Sequence, residues 1–340
     1  MKRCSIKDIA RLAGVSPSTV SFVLNGKAKQ MRISASVEKK IHQIATKHRY
    51  HPNQIAVSLR TGKSNLIGLV VETISGNFLG SLARNIEEEA ELFGYKVVYC
   101  STENQLMKGR ELIRMLAQRQ VDGYIITPTP GMEKDIEALQ EQKRPLVLMD
   151  SFYLKTKVPF VLVDNYSAIS AGLQHLFQKG FRSILFVTVD LNLTQVKERE
   201  EAFLDIMKDN GLPGKKWVTR LPYDVPREDA IKALRNVILD KKGVEAIFFA
   251  TNYLGLIGLE TLQIMKMTIP DDIAVICFDD HDIFRLYPPG ITVIAQPVEA
   301  IAKTAIQLLI AQLSGRQDKN KKKQMRLAAN IIVRGSTIKA

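Results

Sequence analysis

Hydroxyl and cationic side chains crowd the first 35 residues of the sequence. Four hydroxyls are followed by three cations: Ser16, Ser18, Thr19, Ser21, Lys27, Lys29 and Arg32. Hydroxyls can bind phosphate oxygens or base edges, whereas Lys and Arg neutralise phosphates. Residues 1–60 contain twelve Lys or Arg and two Asp or Glu, so they carry +10 of the chain's net charge of +13. This imbalance favours nucleic acid as a partner, and a basic arm that only aids solubility is the alternative.

Three short helices are predicted to position these side chains. Ser5 and Asp8 have the spacing of a capping box, and Gly14 ends the helix that they begin. Ser16 caps a second helix with Pro17 at its first position, where a missing N–H costs nothing. A third helix, which Ser34 is expected to cap, ends near residue 50. Two short helices joined by a turn that contains Gly form a helix-turn-helix, whose second helix enters the major groove of DNA.

The same segment carries a family resemblance. Ile6-Lys-Asp-Ile-Ala-Arg-Leu-Ala-Gly-Val-Ser-Pro-Ser-Thr-Val-Ser21, then Leu24-Asn25-Gly26, resembles the DNA-binding signature of the LacI/GalR family, and the resemblance runs through nearly the whole chain. It implies a sequence-specific transcriptional regulator, most often a repressor, controlled by a small polar effector such as a sugar. It also implies that the following residues face DNA: Ser5, Ser16, Pro17, Ser18, Thr19, Ser21, Phe22, Asn25 and Ser34.

Two features depart from the family pattern. Many members have a polar or basic residue where this chain has Phe22, whose ring can contact a thymine methyl but cannot hydrogen-bond to guanine. Partial burial of the ring against its own domain is the alternative. The loop 27–33 is about three residues longer than usual, and we expect Lys27, Lys29 and Arg32 to meet phosphates there.

Residues 51–63 form the predicted hinge between a DNA-binding domain at 1–50 and an effector-binding and dimerisation domain at 64–340. The segment between Pro52 and Gly62 offers about two helical turns, which are marginal alone in water. The resemblance implies that two copies pair in the minor groove, with contacts from Asn53 and Ala56, and that Leu59 wedges between base pairs and kinks the duplex. An ordinary linker is the alternative.

Beyond the hinge, apolar strands alternate with helices in two series, which predicts two lobes with doubly wound parallel sheets. The family implies a periplasmic-binding-protein-like fold beside the small all-α head. We expect the first lobe at about 64–163 and 297–322, and the second at about 164–294 and 326–340. Asp164-Asn165 and Gln296-Pro297 are expected in the interlobe hinge.

Ligands in such folds bind outside the carboxyl ends of the strands, in the cleft between the lobes. Asp150 and Asp279 directly follow strands, and Asn252 opens a helix. The resemblance adds Phe78 and Arg199 as effector contacts and supports Asn252 and Asp279. Ser151, Gln195 and Phe248 are further candidates. Core packing is the alternative for Phe78, capping of local structure for Asp150 and Asn252, and an exposed charge on a helix for Arg199.

Other functional classes fit the sequence less well. There is no secretory signal and no apolar run of 18 residues, so we predict a cytoplasmic chain without a membrane span. No common catalytic or metal-binding motif is present, and we expect neither an enzyme nor a cofactor or metal. A solute-binding protein without a transcriptional role is the main alternative. The resemblance implies a homodimer on a near-palindromic duplex.

Overall fold

In the computed structural model, the described residues are 4–50, 58, 61–315 and 323–338. The chain divides into two compact units, Met1–Ser64 and Asn65–Ala340. The first unit contains three helices in its described part: α1 (Ile6–Ala13), α2 (Pro17–Leu24) and α3 (Ala35–Lys47).

Local signals place the ends of the first two helices where the sequence predicts them. The Ser5 hydroxyl accepts from the Asp8 N–H while the Asp8 carboxylate accepts from the Ser5 N–H, which completes the capping box. Gly14 ends α1 with a φ of 70°, a left-handed conformation that glycine adopts at little cost. Ser16 caps α2 through the Thr19 N–H at 3.1 Å. The predicted helix-turn-helix is confirmed.

The third helix differs in one detail from the expected cap. Ser34 occupies the N-cap position of α3 but makes no capping hydrogen bond, and its hydroxyl instead lies 3.1 Å from the Ser36 hydroxyl. The three helices close around a small apolar core of eight buried residues: Ile9, Ala10, Ala13, Val20, Val23, Ala28, Ile41 and Ala45. Burial of Ala28 anchors the loop between α2 and α3.

The second unit contains helices and strands in regular alternation. Its first half comprises β1 (Leu66–Val71), α4 (Asn77–Glu91), β2 (Lys96–Ser101), α5 (Leu106–Gln118), β3 (Gly123–Ile126), α6 (Glu133–Glu141), β4 (Leu146–Met149) and β5 (Phe160–Val163). The next elements are α7 (Asn165–Gln178), β6 (Ile184–Asp190), α8 (Thr194–Asp209), β7 (Val218–Pro222), α9 (Arg227–Asp240), β8 (Ala246–Phe249), α10 (Asn252–Ile264), β9 (Ala274–Phe278), α11 (Asp282–Leu286) and β10 (Thr292–Ala295). The last are α12 (Val298–Leu313), β11 (Gln324–Leu327) and β12 (Asn330–Ile332).

Two six-stranded sheets define two lobes, as predicted. The first sheet has the strand order β11-β5-β4-β3-β1-β2, and the second has the order β12-β10-β9-β8-β6-β7. All pairings are parallel except that of β10 with β12. Because parallel sheets are covered on both faces, their strands are apolar throughout, and β3, β4, β5 and β8 are buried along their full length.

The chain passes between the lobes three times: after β5, after β10 and after β11. The third crossing differs from the expected boundary at about residue 326. Strand β11 pairs in parallel with β5, Arg326 opposite Leu162, so residues 324–327 belong to the first lobe. The expected second-lobe segment therefore includes two residues, 326 and 327, that belong to the first lobe. Within the described residues, no helix combines the length and the hydropathy that a bilayer crossing requires.

Candidate functional site

The first unit presents the predicted DNA-facing side chains at its surface. None of those in the described residues is buried, and nine are exposed: Ser5, Ser16, Pro17, Ser18, Asn25, Lys27, Lys29, Arg32 and Ser34. Thr19 and Ser21 are half-exposed at the start and on the side of α2. The Asn25 amide donates to the Ser21 carbonyl at 2.6 Å, which holds that side chain at the end of the helix.

Phe22 and the long loop are also placed at this surface. Phe22 is half-buried, so its ring is neither part of the core nor fully presented to solvent. In the loop, Arg32 takes a positive φ of 52° and both lysines are exposed. The hinge residues Asn53, Ala56 and Leu59 lie outside the described residues, so their predicted roles stay predictions.

A cavity of about 430 Å³ lies between the two lobes of the second unit. The first lobe contributes residues that follow β1, β2 and β4, and the second contributes residues that follow β6, β7, β8, β9 and β10, together with the start of α8. The carboxyl ends of the strands of both sheets therefore face this space, as the topology predicts. Six predicted effector contacts line it: Phe78, Asp150, Gln195, Arg199, Asn252 and Asp279.

Arg199 is fixed at the centre of the second-lobe wall. Its Nε donates to the Asn165 Oδ1 and its Nη1 to the Ala250 carbonyl, both at 2.8 Å. The guanidinium carbon lies 3.6 Å from the centroid of the Phe278 ring, over which the cation stacks. The side chain is only 4% exposed. A guanidinium held in this way presents its remaining N–H groups to a ligand without a rotamer search.

Two aspartates flank Arg199, one from each lobe. Asp279 accepts from the Gln296 amide at 2.7 Å, and Asp150 accepts from the Gln195 amide at 3.2 Å. Both aspartates have positive φ, 69° and 64°, at the turns that follow β9 and β4. Such strained backbone is typical of functional sites.

Burial and the neighbouring cation act on these carboxyls in opposite directions. Burial raises the pKa of Asp279 to about 6, although the charge of Arg199 and the hydrogen bond from Gln296 partly offset this effect. Burial likewise raises the pKa of Asp150 above its ordinary value, against the same cation and the Gln195 amide. Both carboxyls therefore bind protons at a higher pH than an ordinary aspartate does.

The other end of the cavity, which we call the acid–tyrosine end, consists of Glu72, Glu103, Tyr223 and Tyr253. The two tyrosine rings meet edge to face, with centroids 6.3 Å apart and planes at 88°. The Tyr223 hydroxyl donates to Glu72 across the cleft, and the Glu103 N–H donates to the Glu72 carbonyl at 2.7 Å. Sequence reasoning missed all four residues.

Glu72 is poised to titrate. Burial raises its pKa to about 7, the hydrogen bond from Tyr223 opposes the shift, and repulsion by Asp150 and Glu103 adds to it. One signal in the sequence could have found this residue, because Glu72 directly follows β1 as Asp150 follows β4.

The three predicted effector contacts not yet described, Phe78, Ser151 and Phe248, lie in different places. Phe78 is half-buried and lines the cavity from the start of α4. Ser151 is buried and accepts from the Thr194 N–H at 3.3 Å, an interlobe bond just outside the lining. Phe248 is not brought to the cavity: it is fully buried in the second-lobe core, edge-on to Phe186. Both faces of strand β8, which carries Phe248, are covered, so the ring packs into the core and does not reach the cavity.

Further polar contacts join the lobes beside the cavity. Arg326 of β11 binds the Glu198 carboxylate of α8 through both terminal nitrogens, at 2.9 and 2.6 Å. Asn165 donates to the same carboxylate at 2.9 Å, and Thr194 donates to the Phe152 carbonyl at 2.6 Å. The start of α8 thus contacts the first lobe while it also carries Gln195 and Arg199 into the cavity.

Comparison with known proteins agrees with both units. Residues 5–53 match bacterial regulatory proteins of the lacI family, and residues 173–337 match the periplasmic binding protein-like domain. The HTH-type transcriptional regulator KdgR of Bacillus subtilis (strain 168) is 32% identical over 339 residues, which cover 98% of this chain and 97% of that protein.

Solved structures share the fold. The lac repressor dimer bound to operator and the anti-inducer ONPF has a TM-score of 0.86 at 20% identity, covering 99% of this chain and 100% of that chain. The complex of the transcriptional regulator CelR with cellobiose has a TM-score of 0.71 at 22% identity, covering 98% and 100%.

A helix-turn-helix unit followed by a two-lobed periplasmic-binding-protein-like domain defines a class of DNA-binding transcriptional regulators. Together with the match to KdgR along almost its full length, this architecture shows that the chain belongs to the LacI family.

Proposed function

We propose that this regulator binds a sugar or sugar derivative in the interlobe cavity, and that the bound effector changes the affinity of the chain for its operator. The observation that carries the proposal is the central group of Arg199 between Asp150 and Asp279. Carboxylates accept from hydroxyls and a guanidinium donates to them, so this group suits a polyol. The volume of about 430 Å³ lies within the range of small-molecule sites.

The relatives support a sugar as effector. One similar structure is described as a complex of the regulator CelR with cellobiose, and a ribose operon repressor of Halalkalibacterium halodurans is 28% identical over 309 residues. Phe78 and the two tyrosines supply aromatic surface that can cover the apolar face of a sugar ring.

For the DNA side, we propose that the exposed hydroxyls of α2 and Phe22 contact bases or phosphates in the major groove, while Lys27, Lys29 and Arg32 meet phosphates. Two copies of the chain would bind a near-palindromic operator as a homodimer, with Asn53, Ala56 and Leu59 of each copy in the minor groove. We infer that the chain works in the cytoplasm, where it meets the operator.

The test combines a gel shift with thermal denaturation. Full-length protein is incubated with operator-like duplexes and with a panel of neutral sugars. We expect at least one sugar to raise the Tm and to change DNA affinity, in either direction, without being chemically transformed.

The variant Asp279→Asn should lose most of the Tm shift yet still bind DNA. Asp282→Asn is the matched control, because that carboxylate is 76% exposed and lies outside the cavity lining. A sugar that both variants bind equally well would remove Asp279 from the site, and turnover of the sugar would replace the proposal with an enzyme.

A further inference from the structure

Acidic side chains outnumber basic ones in the described lining of the cavity. Among the described residues that line it, four carry carboxylates and Arg199 alone carries a guanidinium: Glu72, Glu103, Asp150 and Asp279 are the acids. A neutral polyol needs no such excess of negative charge, because each hydroxyl both donates and accepts. The acidic lining therefore indicates the charge of the effector, which the fold alone does not.

A second observation is independent of the carboxylates. The amide oxygens of Gln195 and Gln296 are buried and accept no hydrogen bond within the described part of the protein. The two side chains are 6% and 9% exposed and both line the cavity. Their NH₂ groups donate to Asp150 and Asp279, which fixes the amide oxygens as the free ends. Buried acceptors without a partner are costly, so these oxygens await donors from a ligand.

Asp150, Asp279 and the two glutamines lie at one end of the cavity, and Glu72 and Glu103 lie at the other, the acid–tyrosine end. Gln296 and Asp279 follow β10 and β9, whereas Tyr223 follows β7 at the opposite edge of the second sheet. In the first sheet, Asp150 follows β4 and Glu72 follows β1, two strands away. Since neighbouring strands lie about 4.8 Å apart, the strand ends are separated by about 10 Å from β4 to β1 in the first sheet and by about 14 Å from β9 to β7 in the second.

We propose that the effector is a sugar that carries a protonated amino group, with its hydroxyls at the Arg199 end and its ammonium at the acid–tyrosine end, between Glu72 and Glu103. This inference rests on the proposed function, since it specifies the ligand of the same cavity.

The chemistry of an ammonium fits that end of the cavity. It has three donors and no acceptor, so it can donate to the Glu72 and Glu103 carboxylates without bringing a further acceptor into the cavity. The edge-to-face rings of Tyr223 and Tyr253 provide a π-face for the cation. A sugar phosphate or a sugar acid would bring further negative charge against four carboxylates, with Arg199 as the one guanidinium in the described lining.

The experiment compares matched sugar pairs on the full-length protein. Isothermal titration at pH 7.0 uses glucose with glucosamine, galactose with galactosamine, and mannose with mannosamine, and adds glucuronate as the anion. We expect the amino member of at least one pair to bind about tenfold or more tightly than its neutral partner, because a hydrogen bond to a charged group exceeds one to a neutral group. Glucuronate should bind more weakly than glucose.

The variant Glu103→Gln should reduce the preference for the amino sugar, taken as the ratio of the amino-sugar and neutral-sugar affinities measured on the same variant, to less than about threefold. Glu72→Gln should act in the same direction. Glu141→Gln, an exposed carboxylate at the end of α6, is the matched control and should retain the full preference.

Three results would overturn the inference: no amino sugar binds, neutral and amino members bind equally, or Glu103→Gln leaves the preference intact. The proposed function survives each of them if a neutral sugar still binds in an Asp279-dependent manner and alters DNA affinity. The proposed function itself is refuted if no sugar, whether neutral, cationic or anionic, affects DNA binding.

Discussion

Replacement of Arg199 by methionine tests the organisation of the cavity most directly. The guanidinium donates to Asn165 and Ala250 at 2.8 Å and stacks on Phe278 at 3.6 Å. Methionine has a similar length but no donor. In Arg199→Met both acceptors lose their buried donor, and the aspartates that flank the guanidinium lose the cation between them.

The expected cost is large because the charge is buried. Removing one partner from a buried ionic group typically costs about 3–5 kcal/mol, since the remaining charge is left uncompensated. We therefore expect the free energy of unfolding of Arg199→Met at pH 7.5 to fall by about 3–5 kcal/mol. Arg84→Met is the control, because Arg84 is 80% exposed and its ion-pair partner Glu88 is also exposed, and it should change stability by less than about 1 kcal/mol.

The pH dependence gives the sharper test. Burial raises the pKa of Asp279 to about 6 in the parent although Arg199 lowers it, so the variant should have a still higher pKa. A carboxyl with a raised pKa in the folded state stabilises the fold at low pH and loses that contribution as pH rises. The difference in free energy of unfolding between the parent and Arg199→Met should thus become smaller by about 1 kcal/mol or more when the pH is lowered from 7.5 to 5.

Urea unfolding at both pH values, with Arg84→Met in parallel, measures this difference. A deficit below about 1 kcal/mol at pH 7.5, or the same deficit at both pH values, would refute the electrostatic account of the cavity.

Three further predictions concern the head, the acid–tyrosine end and the core. Ser16→Ala removes the acceptor for the Thr19 N–H, and hydrogen exchange in the full chain should show the opening free energy of α2 reduced by about 1 kcal/mol; unchanged protection would contradict the cap. Because the pKa of Glu72 is raised to about 7, the parent should lose at most about 3 kcal/mol of stability from this group as the pH rises from 5 to 8. Glu72→Gln should flatten the dependence of the urea midpoint on pH. If the parent and the variant showed the same pH dependence, the raised pKa of Glu72 would be contradicted. Gly258→Ala would place a Cβ 2.0 Å from the Phe249 ring, so overpacking should cost about 1–3 kcal/mol, and a Tm equal to that of the parent would mean that the ring moves freely.

Features with local causes were predictable from the sequence. The capping box of Ser5 and Asp8, the left-handed Gly14 and the cap at Ser16 each depend on residues within a few positions of one another. The two series of apolar strands were equally clear, because strands buried on both faces read as continuous apolar runs. The strand-end rule brought Asp150 and Asp279 to the cavity that the structure contains.

Features that depend on residues far apart in the sequence were not predictable. Strands β7, β11 and β12 lie at sheet edges and are partly exposed, so they lack the apolar run that marks the central strands. Gln296 was expected only in a crossover, and its hydrogen bond to Asp279 depends on the pairing of β9 with β10. The acid–tyrosine end combines residues from both lobes, which no local pattern brings together.

The three crossings have a consequence for synthesis of the chain. Ile301, Ile306 and Leu309 of α12 cover one face of the first sheet, and β11 forms its edge, although both follow nearly the whole second lobe in the sequence. A ribosome that has just added Ala295 has completed five of the six strands of the second sheet but leaves Ile125 and Val147 of the first sheet without that cover. The amino-terminal lobe therefore cannot complete its sheet until α12 and β11 have been added, although its first five strands are made earliest, and the second sheet is complete only once β12 follows.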